Sequence, residues 1–327
     1  MSSVREKLIL RTNLCPGDTL MLTAALRDLH HSYPARYETD VRTPFPALWK
    51  NNPYLSPLCE SGNNVRILDC HYPLVNNSNN QSSHFLQGYI EYLNDSLDLN
   101  IRLSCFKGTI FLSSTERSMP IVFDGQDLSH LEGYWIIVAG GKYDYTTKWW
   151  SHTRFQKVVD HFRNTLTFVQ VGNLTDYHPK LDHAIDLRGK TGLRDLIRLM
   201  YHAKGVLTPV TFMMHLSAAV DPPPSPTMLK RPCVVVAGGR EPPHWEAYPT
   251  HQFIHTVGML KCCRSGGCWK ARVRALGDGD EKDLQENLCT DVVNDLPNCM
   301  NLIRASDVIR RIELYLESRA ALQPNRK

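Results

Sequence analysis

Two stretches of this 327-residue chain group residue types that could do chemistry. The first is Thr211-Phe212-Met213-Met214-His215, which follows the apolar run Val206-Leu207 and a turn at Pro209 and opens a helix. The unpaired N–H groups and positive dipole end of such a helix, just past a strand's carboxyl end, make a site for a phosphate. The second is Lys261 to Met300, where Cys262, Cys263, Cys268, Cys289 and Cys299 supply half of the ten cysteines. Four thiolates suffice for a tetrahedral zinc or iron centre, although free buried cysteines or disulfides would account for the same residues. The spacing CC-x4-C-W is looser than the CxxC pairs of zinc ribbons. Asp278, Asp280 and Asp283 have the look of a calcium loop, but the EF-hand glutamate spacing fails. Asp176 lies a few residues past the run Leu166 to Val171, where a carboxylate can accept from two ribose hydroxyls. Arg240, His244 and Glu246 follow another strand end, and ligand contact and a purely structural loop both stay open for them.

The elements that must position these residues alternate. Lys7 to Thr12 reads as a buried strand, followed by Asn13-Leu14-Cys15-Pro16-Gly17-Asp18 and a helix with Leu20, Leu22, Ala25, Leu26 and Leu29 inward. Strand, tight glycine-containing turn and helix open a Rossmann-like half, with Asp18 placed as an N-cap would be. Further strands are expected at Tyr37–Arg42, Val65–Leu68 and Thr109–Leu112, and a helix over His84–Leu97. Asn76–Ser83 (NNSNNQSS) is polar and aperiodic, a surface loop that could also meet an acceptor. A boundary near 124–133 divides residues 1–130 from 131–327. The second half opens with the strand Tyr134–Ala139, Gly140-Gly141-Lys142, and YDYTTKWW before the helix Phe155–Phe162. Gly-Gly-Lys lacks the spacing of a Walker phosphate loop. A stretch at Ile185–Asp186, a helix from Leu193, the strand from Val206 and the Thr211 helix follow. After the stiff Pro222–Pro226 come the strand Cys233–Ala237 and an amphipathic last helix, Ser306–Glu317.

Composition sets bounds. Hydrophobic residues make up 42% and charged residues 21%, which describes a soluble globular chain large enough for two cores. No apolar run reaches membrane-spanning length, and MSSVREKLILRTN lacks the apolar segment of a signal peptide, so a cytoplasmic location is expected. Such a compartment keeps thiols reduced, which weighs against a disulfide framework. The net charge of +4 is unclustered and gives nucleic-acid binding little support, while suiting an anionic diphosphate ligand.

The chain resembles glycosyltransferase family 9, the inverting ADP-heptose:lipopolysaccharide heptosyltransferases, on several motifs. The family's DLxGKTSLxxL, a strand and DTGxMHLAAAL match Asp186-Leu187-Arg188-Gly189-Lys190-Thr191-Gly192-Leu193 and the run Met214-His215-Leu216-Ser217-Ala218-Ala219. Val210 and Phe212 replace the acidic and glycine positions, with Thr211 kept between them. Gly17-Asp18 matches the family's GD, Asn52-Pro53-Tyr54-Leu55 its "NPyl", and Asp176 the acidic residue of its GGpxE/D turn. The resemblance implies a GT-B fold, α/β, with two Rossmann-like domains facing a cleft and a cysteine-rich insertion over 261–300. It implies Asp18 as the catalytic base and Lys148, ahead of Trp149-Trp150, as the cation neutralising the donor diphosphate. Gly17, Asp176, Thr211, Met213, Met214 and His215 complete the donor site. The cysteine cluster further resembles the iron-binding cysteine finger of the autotransporter heptosyltransferases, which implies Cys263, Cys268, Cys289 and Cys299 as ligands of a structural iron or zinc, with Cys262 the alternate for Cys263. The implied reaction moves a sugar, heptose in the first instance, from an ADP-sugar to a hydroxyl of a saccharide or protein with inversion and without a catalytic metal. Two other readings stand beside it: a non-catalytic, metal-stabilised scaffold on the same fold, and an enzyme using another nucleotide-sugar. Acceptor and oligomeric state are left open.

Overall fold

The computed structural model describes residues 5–321 apart from 73, 124, 132 and 226–229. Positions 124 and 132 of the expected boundary, and Pro226, therefore lie outside the described residues. The chain begins β1 (Glu6–Arg11), α1 (Pro16–Ser32), β2 (Tyr37–Arg42), β3 (Val65–Asp69), α2 (Phe85–Leu97) and α3 (Ser114–Ser118), followed by a short ribbon of β4 (Val122–Phe123) and β5 (Gln126–Asp127). It continues as β6 (Trp135–Ile137), α4 (His152–Phe162), β7 (Phe168–Gln170), β8 (Ile185–Asp186), α5 (Leu193–His202), β9 (Gly205–Pro209) and α6 (Phe212–Ala219). Then come β10 (Cys233–Gly238), α7 (Pro243–Glu246), β11 (His251–His255), the pair β12 (Val292–Val293) and β13 (Leu296–Pro297), α8 (Asn298–Asn301) and α9 (Ala305–Ala321).

Two parallel sheets result. The first has the order β2-β1-β3 and the second β11-β10-β9-β6-β7-β8. The second order is that of the doubly wound dinucleotide fold, whose switch point lies between β6 and β9, the place where ligands collect outside the strands' carboxyl ends. Strands β9 and β10 are buried along their whole length, as covering both faces of a parallel sheet requires. One core joins α1 and α2 to α5, α6 and one face of the second sheet, through Leu20, Met21, Phe85, Met214 and Leu216. The other face is filled by Trp135, Ile137, Phe155, Val158 and Ile312. Helix α9 packs there on α4 and β10, with Tyr315 Oη donating to the Thr250 carbonyl at 2.8 Å. It thus lies on the back of the second sheet, not across a cleft.

One expected strand is absent. Residues 109–112 form no strand, because side chains of α1 and α5 take up backbone groups a ladder would use, Thr23 at the Thr109 N–H and Arg194 at the Phe111 carbonyl. Thr109 N–H donates to Thr23 Oγ1 at 2.8 Å, and the Arg27 guanidinium donates to the Lys107 carbonyl and to Thr109 Oγ1. The polar stretch 76–83 lies at the surface as expected, with Asn77 and Asn79 to Ser82 exposed, and it is tied down from one side. Asn79 Nδ2 donates to the Gly267 carbonyl at 2.9 Å while Gly267 N–H donates to Asn79 Oδ1 at 2.8 Å, and the buried Ser78 offers its carbonyl to His244 Nε2 at 2.5 Å.

Candidate active site

Helix α1 begins at Pro16, which fills a first-turn position where no N–H is needed. Cys15 is the capping residue, so Asp18 sits inside the first turn and is not the N-cap. The helix start approaches α6 so closely that a Cβ on Gly17 would lie 3.4 Å from His215 Cδ2. Burial pushes the Asp18 carboxyl up to about 6, against the opposing pull of Lys148, the Cys15 backbone and Lys142. The group is therefore ionised near neutrality yet a stronger base than an ordinary aspartate.

Lys148 reaches the same place from the other sheet, at the end of a 3-10 stretch, Tyr143–Lys148, that follows β6. Its Nζ pairs with Glu241 Oε1 at 2.7 Å, and Arg240 donates to that same oxygen. Arg240 is held by the Lys270 carbonyl at 2.7 Å, with its guanidinium 4.9 Å from the Tyr145 ring centre and 5.3 Å from that of Trp269. Oε2 of Glu241 and Oε2 of Glu246 are both buried without a hydrogen-bond partner. Burial, and then the charge of Glu241, raise Glu246 to about 8.

The start of α6 supplies the third component. Thr211 caps it, its Oγ1 accepting from Met213 N–H at 3.3 Å and lying 2.9 Å from Thr208 Oγ1. Val210, Met213 and Met214 are buried, so what this turn offers a ligand is backbone N–H. His215 Nδ1 lies 2.9 Å from Tyr248 Oη, which donates to Met21 Sδ at 3.2 Å. Burial drives the His215 pKa well below its usual value, so the imidazole is neutral and pins α6 to α1.

Lys142 ties the edges together. Its Nζ lies 3.2 Å from Cys15 Sγ, and although burial lowers its pKa, Cys15, Asp176 and Asp144 outweigh that and leave it raised. Asp176 lies in the turn closed by its N–H to the Asn173 carbonyl at 3.2 Å. The neighbouring Tyr177 stacks on Trp149 at 4.3 Å, and its carbonyl lies where a Cβ on Gly140 would fall, at φ +130°. The structure thus draws Gly17, Asp18, Lys148 and the Thr211 turn together, with Asp176 joined through Lys142. Lys142 enters the sequence reading only within a Gly-Gly-Lys that lacks Walker spacing, and Glu241 is given no role there. Both directly follow glycine-rich strand ends, Gly140-Gly141 and Gly238-Gly239-Arg240, which was the available signal. His244 instead serves the tie to Ser78.

The cysteines of 261–300 converge. Cys262, Cys268, Cys289 and Cys299 line one enclosed cavity of about 10 Å³, with Thr147, Lys270 and Asp291 around it. Cys263 is not among the lining residues but stays beside them, its Sγ lying 3.5 Å from the Thr256 carbonyl, 3.6 Å from that of Leu260 and 3.0 Å from where a Cβ on Gly239 would fall. Of the two neighbours in the 3-10 turn Lys261–Cys263, Cys262, the alternate, is the one that lines the cavity. All ten cysteines are free. Among the described residues no group of three or more His, Cys, Asp or Glu is arranged to hold a metal ion, so the four thiols share a cavity without closing into a cage. Asp278 and Asp283 are consumed by the fully buried Arg272, at 2.8 and 2.5 Å, which accounts for their clustering without calcium.

No protein-family model and no curated protein sequence matches this chain. Solved structures do. A glycosyl transferase family 9 protein from Veillonella parvula superimposes with a TM-score of 0.62 at 14% identity, over 96% of this chain and 98% of its own. ADP-heptose LPS heptosyltransferase II of E. coli gives 0.59 at 13%, over 96% and 99%. The iron-containing dodecameric glycosyltransferase TibC of enterotoxigenic E. coli H10407 gives 0.63 at 16%, over 96% and 76%. Over nearly its whole length, then, the chain is similar in fold to glycosyltransferase family 9 and its ADP-heptose heptosyltransferases.

Proposed function

We propose that the protein is an inverting glycosyltransferase that moves a sugar, heptose in the first instance, from an ADP-sugar to a hydroxyl of a saccharide or protein acceptor. The observation that carries this reading is the convergence of Asp18, from the first sheet's α1, with Lys148 and the start of α6 at the second sheet's switch point. The acceptor then meets residues 1–130 and the donor residues 131–327. Asp18 takes the proton of the acceptor hydroxyl as its oxygen bonds to the anomeric carbon, and the bond from that carbon to the diphosphate breaks on the opposite face. Charge builds on the leaving diphosphate, where Lys148 and the N–H groups of 211–215 stabilise it, and no step requires a metal. Asp176 accepts from the ribose hydroxyls. The reading is tested by mixing the protein with ADP-heptose and a hydroxyl acceptor and following ADP release in wild type and Asp18→Asn.

The four thiols around a cavity of single-ion size fit a soft cation in donor chemistry. Cys262, Cys268, Cys289 and Cys299 would hold iron or zinc there as a structural centre. With four thiolates engaged such a centre has no open position and takes no part in the reaction. The scaffold reading is favoured only by Val210 and Phe212 in the phosphate turn, and absence of nucleotide binding would support it.

A further inference from the structure

Between the donor-side cation and α7, two buried carboxyl groups remain that the reaction above leaves without a task. Glu241 is 2% exposed and Glu246 3% exposed. Lys148 and Arg240 both reach Glu241 Oε1, while Glu241 Oε2 and Glu246 Oε2 are buried without a hydrogen-bond partner. A buried acceptor without a donor is costly, and the two carboxyl groups are near enough for the charge of Glu241 to act on Glu246, so the proton held there can serve one of these oxygens and the other is open to a donor from a ligand. Both residues follow β10, whose carboxyl end opens on the crevice where the second sheet takes its ligand.

We propose, resting on the donor-binding reading above, that Glu246 and the free oxygen of Glu241 accept hydrogen bonds from hydroxyls of the transferred sugar and thereby help to select it. The chemistry excludes the diphosphate as their partner, since phosphate oxygens accept and do not donate at neutral pH. A sugar offers several hydroxyl donors in fixed geometry, and a site built to bond a hydroxyl rejects analogues lacking it far more strongly than a merely apolar pocket does. Burial and the neighbouring Glu241 keep a proton on Glu246 through the neutral range. The carboxyl can thus sit close to a departing diphosphate without adding a second full negative charge, and it can donate as well as accept.

The test is calorimetric titration with ADP and with ADP-heptose of wild type, Glu246→Gln, Glu246→Leu and Glu241→Gln, with folding checked by circular dichroism. In wild type the sugar is expected to add affinity over ADP alone. That gain should fall roughly tenfold in Glu246→Leu, the size of one or two lost hydrogen bonds. It should fall less in Glu246→Gln, with ADP affinity held within about twofold in both Glu246 variants. Glu241→Gln should lose part of the gain and also alter ADP binding, because it releases Lys148. Should Glu246→Leu fail to fold, Glu246→Gln decides. Retention of the full sugar gain in the folded Glu246 variants overturns the proposal and assigns those oxygens to water. If wild type binds ADP but gains nothing from the sugar, or binds no nucleotide, the donor reading itself fails, and the two failures are told apart by the wild-type titration.

Discussion

Lys148 and Glu241 face each other at 2.7 Å across the mouth of the second sheet, and the carboxylate is 2% exposed. The cation expected to receive a diphosphate is thus already held in place by a buried anion, in turn secured by Arg240. A long, flexible lysine would otherwise lose side-chain entropy when it closed on a ligand. Held as it is, it presents a fixed charge opposite Asp18.

Asp18→Asn is expected to lower turnover by roughly 10²–10⁴-fold while leaving nucleotide affinity within about twofold, since the amide keeps the shape and loses the base. For wild type, kcat/KM should fall as pH drops below about 6, where the carboxyl takes up its proton. Initial rates across pH 5–8 on both proteins measure this.

Stability should move the opposite way. Asp18 has its pKa raised from 3.8 to about 6 and Glu246 from 4.5 to about 8, each chiefly by burial. A group with a raised folded pKa contributes fully below its unfolded pKa, and that contribution is lost as pH rises through the folded value. These two groups therefore make the fold weaken between about pH 4 and pH 8. Asp18→Asn removes one of them and should stabilise the protein at pH 7 by on the order of 2 kcal/mol, read by urea unfolding at pH 5, 7 and 8.

Much of the fold is legible in the sequence because it rests on local patterns. The apolar runs around β1, β6, β9 and β10 and the periodicity of α5 leave little choice of element, and Thr211 marks a helix start by residue type alone, whereas Asp18, placed as a cap would be, falls inside the first turn. What escapes is decided across distance. Residues 109–112 look like a strand until Thr23 and Arg194, more than eighty positions away, claim their backbone. Cys262 and Cys263 are equivalent in composition and differ in which of them lines the cavity. Glu241 is one acidic residue among 33 Asp and Glu, and gains meaning only when Lys148 arrives from another element.

Cysteine substitution separates the two neighbours. Purified protein is expected to carry iron or zinc that Cys262→Ser lowers substantially and Cys263→Ser leaves near the wild-type level, as measured by elemental analysis. Chelation should lower Tm in wild type and have little effect on the Cys262 variant, since a structural metal stabilises by mass action.

Asn79→Ala removes both hydrogen bonds that tie the polar loop to Gly267, one residue before Cys268. Leaving the Gly267 amide and carbonyl without these partners should cost roughly 1–3 kcal/mol in urea unfolding. Amide exchange at 76–83 and 266–269 should quicken together, since the tie is reciprocal.

The most direct test of the central claim is titration of the wild-type protein and Lys148→Ala with ADP, UDP and GDP. Binding of ADP in preference to the other two, weakened roughly 10–100-fold by Lys148→Ala, is the expected result for a diphosphate held between that lysine and the start of α6. Nucleotide binding that is absent, or indifferent to the loss of Lys148, would contradict it.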